Sequence, residues 1–308
     1  MGALLTMAAT DTVIRLRRGT PADSRAAFDV LVEAARDLTA RQGIHWNPDP
    51  EEFWTQSESF YRHLATHAAE WWLAEDRASS EVIGYARSIL RGGLLELSEF
   101  FVRPAHQSAG IGRQLLDKAF PAGRGDVRAI VATTDVRALR SYYRAGTVAR
   151  FPIATLEGAP HRSDDAVELE PMRAGEEQIP MLEGLEAAVL EFDRGADDFR
   201  WLLKEREGYV YERDGRPVGF GFVGTTGSGP VVALDAADQV SILRHLEGRA
   251  AELGVEELGL EVPMVNEVAV RHLLDRGFKI DPFLTLLMSN RPFGQFDRFI
   301  GFGPPLVL

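Results

Sequence analysis

The chain contains no cysteine, and only three of its 34 basic residues are lysines, Lys118, Lys204 and Lys279. Without cysteine there is no disulfide framework, no thiolate metal site and no cysteine nucleophile. An intracellular, cytoplasmic setting is the default expectation. No apolar run approaches the roughly 18 residues that suggest a membrane span. The start lacks the basic flank of a secretory signal, so no membrane partner is expected. Met1-Gly2-Ala3-Leu4-Leu5-Thr6 fits the loose myristoylation pattern, a short and permissive match of the kind a frayed tail produces by chance. Residues 1–12 are read as a flexible tail. Basic charge is also scarce: 46 acidic residues leave a formal net charge of −12. A nucleic-acid binder would normally show a basic face. A cationic small molecule suits the balance slightly better. The excess of arginine over lysine points to a GC-rich bacterial genome.

What is present is enough chain for two domains. At roughly 100–200 residues per domain, 308 residues predict a pair, and a 45% hydrophobic fraction allows each a core. Val13 to Arg18 reads as a strand. Thr20-Pro21-Ala22-Asp23 starts a helix, with a capping threonine, proline in the first turn and an acid behind it. A loop from Gly43 to Pro50 precedes a second helix to about His67. Strands follow at Trp71–Asp76, Val82–Leu90 and Leu94–Arg103, the last two joined by Gly92-Gly93. Then come a helix from Ile111, a strand at Val127–Thr134, a helix at Val136–Ala145 and a strand at Val148–Leu156. Polar residues from Glu157 to Asp165 mark a boundary near 160. The second half repeats the order. A gap-free shift of 131 residues lays Arg113 on Arg244, Ala138 on Ala269 and Gly146 on Gly277. This reads as an ancient duplication of one α/β (α+β) unit, over residues 13–160 and 161–308.

The stretch from Phe100 to Gly112 holds the strongest chemical signal. It is a strand, a short loop, and a helix opening with Gln107-x-x-Gly110-x-Gly112. A helix start presents unpaired N–H groups and partial positive charge, both suited to phosphate. The glycines let the backbone approach the anion. A P-loop would need Gly-Lys-Ser/Thr, which is absent. A dinucleotide fingerprint would need a third glycine where Leu115 stands, although Asp135 falls about 20 residues on.

Gln107-Ser108-Ala109-Gly110-Ile111-Gly112 after a Val-x-Pro strand end resembles motif A of the GNAT superfamily of N-acetyltransferases. The order of elements in residues 13–157 is similar to that fold. The resemblance implies, for each half, a mixed, mostly antiparallel, splayed sheet flanked by helices, and for the first half a bound acetyl-CoA with no metal. It implies the diphosphate on the backbone of Ser108, Ala109, Gly110, Ile111, Gly112 and Arg113, preceded by Gln107. It also implies that the acetyl carbonyl and pantetheine arm meet N–H groups on the Phe100-Phe101-Val102 strand.

Acetyl transfer needs a base for the ammonium, a donor for the carbonyl oxygen and an acid for the thiolate. Glu96 falls where histone acetyltransferases of that family carry their base. Strand alternation predicts that Glu96, Ser98 and Phe100 share a face, with Glu99 turned away. A solvated strand-end carboxylate is the plain alternative for Glu96. Ala138 to Gly146 resembles the family's Ala-x-x-x-Tyr-x-x-x-Gly helix, which makes Tyr142 the acid; the plain alternative is an aromatic packed on the sheet. Asp135 stands where the family often has Asn. The acceptor pocket would draw on His45, Trp46 and Trp54, an aromatic-rich set able to hold a ring or an ammonium and equally able to be packing. His63 and His67 lack the glutamate of a zinc site, Leu64 standing in its place.

At the shift of 131, Gly110 and Gly112 become Ser241 and Leu243, Gln107 becomes Asp238, Tyr142 becomes Leu273, and Glu96 falls on Gly227. The second half is therefore read as structural or substrate-shaping. The first half is one strand short, and the apolar tail Phe296–Leu308 is the candidate to complete its sheet. An N-acetyltransferase acting on a small-molecule or peptide amine, as monomer or homodimer, is the leading reading. A non-catalytic acyl-CoA sensor and an NAD-dependent oxidoreductase are the alternatives.

Overall fold

The computed structural model of the chain describes residues 14–107, 110–162 and 168–302. The loop residues Ser108 and Ala109 and the tail segments 1–13 and 303–308 lie outside them. The first half runs β1 (Ile14–Arg18), α1 (Ser24–Arg41), α2 (Pro50–Thr66), β2 (Glu70–Asp76), β3 (Val82–Arg91), β4 (Leu94–Val102), α3 (Ile111–Ala119), β5 (Val127–Thr133), α4 (Val136–Arg144) and β6 (Val148–Gly158). The second runs β7 (Glu170–Arg173), α5 (Ile179–Leu190), α6 (Ala196–Glu205), β8 (Glu207–Arg213), β9 (Arg216–Val223), β10 (Val231–Ala233), α7 (Gln239–Glu252), β11 (Leu258–Pro263), α8 (Glu267–Asp275), β12 (Lys279–Ile280), β13 (Thr285–Ser289) and β14 (Phe299–Ile300). Shifting α4 by 131 residues gives the bounds of α8, as the internal repeat requires.

Local signals act where they were expected. Thr20 N–H donates to the Asp23 carboxylate at 2.8 Å ahead of α1, and Asp49 caps α2 by accepting from the N–H groups of Glu51 and Glu52. Gly92 and Gly93 both take positive φ, +47° and +89°, in the tight β3–β4 turn.

The sheets do not respect the sequence boundary. One sheet has the order β1-β2-β3-β4-β5-β13-β6-β11, with β12 also on β6. The other is β14-β10-β9-β8-β7. The first half is indeed a strand short, but the missing strand is β13, not the tail. Leu287 sits opposite Val131 on one side and Phe151 on the other. The tail segment β14 instead pairs with β10, Val231 facing Ile300 and Val232 facing Phe299. The reason lies in the side chains. Leu287 faces one apolar core and Met288 the other, both buried, so β13 suits a strand buried on both faces. β6 in turn pairs with β11 over six residues. Each half thus lends a strand to the other. One core runs from Phe28 and Tyr61 through to Phe199 and Phe220. No helix among the described residues is long and apolar enough to cross a membrane.

Candidate active site

Among the described strands of the large sheet β4 and β5 are the one parallel pair, and they pair only over Leu94–Glu96 with Val127–Ala129. Beyond that they diverge. From Leu97 onward the β5-facing edge of β4 has no β5 partner. The wedge forms a cavity of about 500 Å³, within the usual range for small-molecule sites. Its walls are β4 from Leu97 to Val102, the start of α3, one face of α4 with Tyr142, and Ala34, Leu38 and Arg41 of α1.

Of the loop residues, Gln107, Gly110, Gly112 and Arg113 line the cavity and Ile111 is buried beneath it. Gly110 caps α3 at φ +81°, a conformation that favours glycine. Gly112 is glycine for contact: a Cβ there would stand 3.0 Å from the Phe100 ring. α3 therefore presses its first turn onto β4 at the cavity wall. The Gln107 side chain has a role the sequence did not suggest. Its Nε2 donates to the Val102 carbonyl at 3.0 Å and ties the loop to the strand end.

The facing of β4 corrects the alternation argument. The pairing of β3 with β4 shifts between Arg87/Glu99 and Ser88/Leu97, leaving Ser98 as an extra residue. Such a bulge reverses the alternation beyond it. Phe100 then packs with Tyr142 on the α3 side, the rings 6.1 Å apart. Glu96 and Glu99 both face α1 and α2. Glu99 lines the cavity and Glu96 does not. Glu99 accepts from the Tyr85 hydroxyl at 2.6 Å and from Arg87, whose guanidinium lies 4.7 Å from the Trp71 ring. Glu96, equally buried, has Arg91 at 3.6 Å. Arg91 also pairs with Asp198 of α6, and Asp198 with His63 of α2 at 2.5 Å. His63 is thus part of a buried polar chain. Only long-range topology brings Asp198 there, so no local signal could have found it.

Tyr142 is buried in the cavity wall. Burial, and then the Asp135 carboxylate, push its phenol well above the ordinary range, so the proton stays on at physiological pH. Asp135 lines the cavity, but its carboxylate is already engaged. It caps α4 by accepting from Arg137 N–H at 2.8 Å and is held by Arg41 and Arg137. Burial opposes its ionisation, and these donors outweigh burial and hold it well below the usual carboxylate range. Arg137, Arg140 and Arg144 recur along the cavity face of α4. Their spacing puts them on one side of the helix.

The acceptor-side residues lie elsewhere. His45, Trp46 and Trp54 are not on the cavity wall. Trp54 packs against Phe28 at 5.0 Å and Tyr61 at 6.4 Å, and Trp46 against Phe53 at 5.8 Å. His45 is exposed. No cluster of metal-ligating side chains occurs among the described residues.

Residues 35–147 match the model of the acetyltransferase (GNAT) family. Three solved structures are similar along almost the whole chain. A Pyrococcus horikoshii protein, named only provisionally as an acetyltransferase, is 17% identical with a TM-score of 0.72, covering 96% of this chain and 95% of its own. A GCN5-related N-acetyltransferase from Sphaerobacter thermophilus is 16% identical at 0.57, covering 91% and 97%. A tandem GNAT protein from the clavulanic acid biosynthesis pathway is 14% identical at 0.53, covering 91% and 99%. At such identities the likeness is one of fold. No curated protein matches the sequence.

Proposed function

We propose that this chain, a tandem GNAT protein whose first half carries the acetyltransferase domain, moves an acetyl group from acetyl-CoA to a primary amine of a small molecule or peptide. The observation that supports it is the wedge itself: the α3 start, the unpaired edge of β4 and the Tyr142 phenol line one cavity. A diphosphate fits the N–H groups at the α3 start. The α4 arginines add positive charge for the coenzyme's phosphates. The pantetheine arm follows the open edge of β4, whose N–H groups also stabilise the acetyl oxygen as it becomes negative. The acceptor amine loses a proton through water to Glu99, the carboxylate on the wall, and attacks the acetyl carbon. The carbon–sulfur bond breaks, Tyr142 donates its proton to the departing thiolate, and the second proton leaving the amide nitrogen passes through water to restore the Tyr142 phenol. The second half has lost these side chains and serves as scaffold.

Two predictions test this reading. Gly112→Val drives a side chain into the Phe100 ring and lifts α3 from β4. Calorimetric titration should show acetyl-CoA binding at least about tenfold weaker, the equivalent of about 1.4 kcal/mol, with the far-ultraviolet spectrum unchanged. Undiminished binding would contradict the loop assignment. For the base, Glu99→Gln should lower kcat by about 100-fold, whereas Glu96→Gln should leave turnover near the parent value. Thiol release measured with a panel of amines gives both numbers. The opposite ranking would return the role to Glu96. Coenzyme binding without thiol release for any amine would favour a sensor.

A further inference from the structure

The second half has a gap in the corresponding place, between β10 and β11, here strands of different sheets, and the chain's own tail runs through it. The segment from Asp297 to Phe302 is held there by contacts at every step. Gln239 Nε2 donates to the Asp297 carbonyl at 2.7 Å. Asn266 Nδ2 donates to the Phe299 carbonyl at 3.1 Å and to Gln239 Oε1 at 2.7 Å. Ile300 and Phe299 pair with Val231 and Val232 of β10. On the other bank, Gly301 N–H donates to the Glu261 carbonyl of β11 at 2.7 Å. The fit is close: a Cβ on Gly229 would stand 2.1 Å from the Gly301 oxygen, and one on Gly301 would meet Glu261 at 3.2 Å.

The groups that hold the tail are the repeat's counterparts of first-half site residues. Shifted by 131, Asn266 matches Asp135 and Gln239 matches Ser108. Asn266 and Gln239 are fully buried and bonded to main-chain carbonyls. An extended peptide and a pantetheine arm share the same chemistry, amide groups spaced along a narrow chain, and both pair with an open strand edge. We infer that the second half has kept its wedge as a binding site for an extended peptide, and that residues 297–302 are its occupant in cis. Beyond the wedge, Phe302 packs on Phe60 of α2 at 5.5 Å and on Trp201 of α6 at 5.6 Å. The bound segment therefore also braces α2 against α6. The parallel with the first half rests on reading its cavity as the coenzyme site; the groove contacts stand without it.

The test uses the full chain with a protease recognition sequence inserted between the exposed residues Arg291 and Pro292. After cleavage, the C-terminal fragment should stay bound on gel filtration, and an excess of a labelled synthetic peptide of residues 292–308 should exchange with it. Gln239→Met in the same protein removes the hydrogen bond to the Asp297 carbonyl along with the one from Asn266, and should weaken retention at least about three- to tenfold, the effect of the one bond made to the fragment. Immediate loss of the fragment from an otherwise folded chain would overturn the inference. So would a fragment that the labelled peptide never replaces, since that segment would be ordinary core. If the inserted chain does not fold, hydrogen exchange on uncut Gly301→Val serves. The amides of 231–232 and 299–300 should lose protection together, and unchanged protection would overturn the inference. Acetyl-CoA titration on the same samples should give one site per chain. No binding there would refute the acetyltransferase reading and leave the peptide result standing.

Discussion

Tyr142→Phe should lower kcat by about 10²- to 10⁴-fold while leaving the acetyl-CoA Kd within about twofold, the range expected for loss of a positioned general acid. The substitution removes one oxygen. Tyr142 is buried against Phe100, and phenylalanine keeps that ring contact, so the binding and packing parts of its role survive. Its phenol is held protonated by burial and by Asp135. That makes it a reluctant acid toward water. It remains a competent donor to a thiolate formed in the same desolvated wedge, where the alternative is an unsolvated anion. Rapid-quench measurement of thiol release separates the two effects. A weakened Kd with normal turnover would make Tyr142 a wall of the coenzyme site and nothing more.

Asp198→Ala should destabilise the chain by about 3–5 kcal/mol, the usual cost of removing one partner from a buried ion pair. It leaves the buried Arg91 with only the more distant Glu96 carboxylate, at 3.6 Å, and removes the carboxylate bonded to His63. Burial alone would raise the Asp198 carboxyl. Arg91, His63 and Arg194 more than reverse this and bring it from 3.8 to about 2. A carboxylate with a lowered folded pKa contributes stability that is fully present above its unfolded value. That contribution fades as pH falls from about 4 through 2, and the shift corresponds to about 2 kcal/mol. Urea midpoints between pH 5 and pH 2 should therefore fall more steeply for the parent than for Asp198→Asn. Parallel slopes would show that the pair adds nothing to stability. Because Asp198 comes from α6 and Arg91 from β3, the same measurement reports whether the halves unfold together.

Much of the first half could be read from its residues. Gly92-Gly93, Thr20-Pro21 and Gly110 act through local backbone geometry, which needs no tertiary partner, whereas Gly112 answers to the Phe100 ring packed against it. The wedge's lining was legible for the same reason, since a strand, a loop and a helix start adjoin along the chain. The facing of Glu96 and Glu99 was not. One unpaired residue, Ser98, turns the strand over, and a bulge depends on what the neighbouring strand offers.

What the sequence determined alone was therefore the unit and its number: one α/β pattern, repeated at a shift of 131, with the Gln-x-x-Gly-x-Gly loop in the first copy only. The tertiary structure decided how the copies complete each other. β13 enters the first sheet, β6 leads into the second half's β11, and the tail lies in the second wedge. Short apolar strands carry no address in their own residues. Leu286-Leu287-Met288 and Phe299-Ile300 would each bury well in several places. Which edge each one takes follows from the hydrogen-bonding groups left open once the rest of the chain has folded.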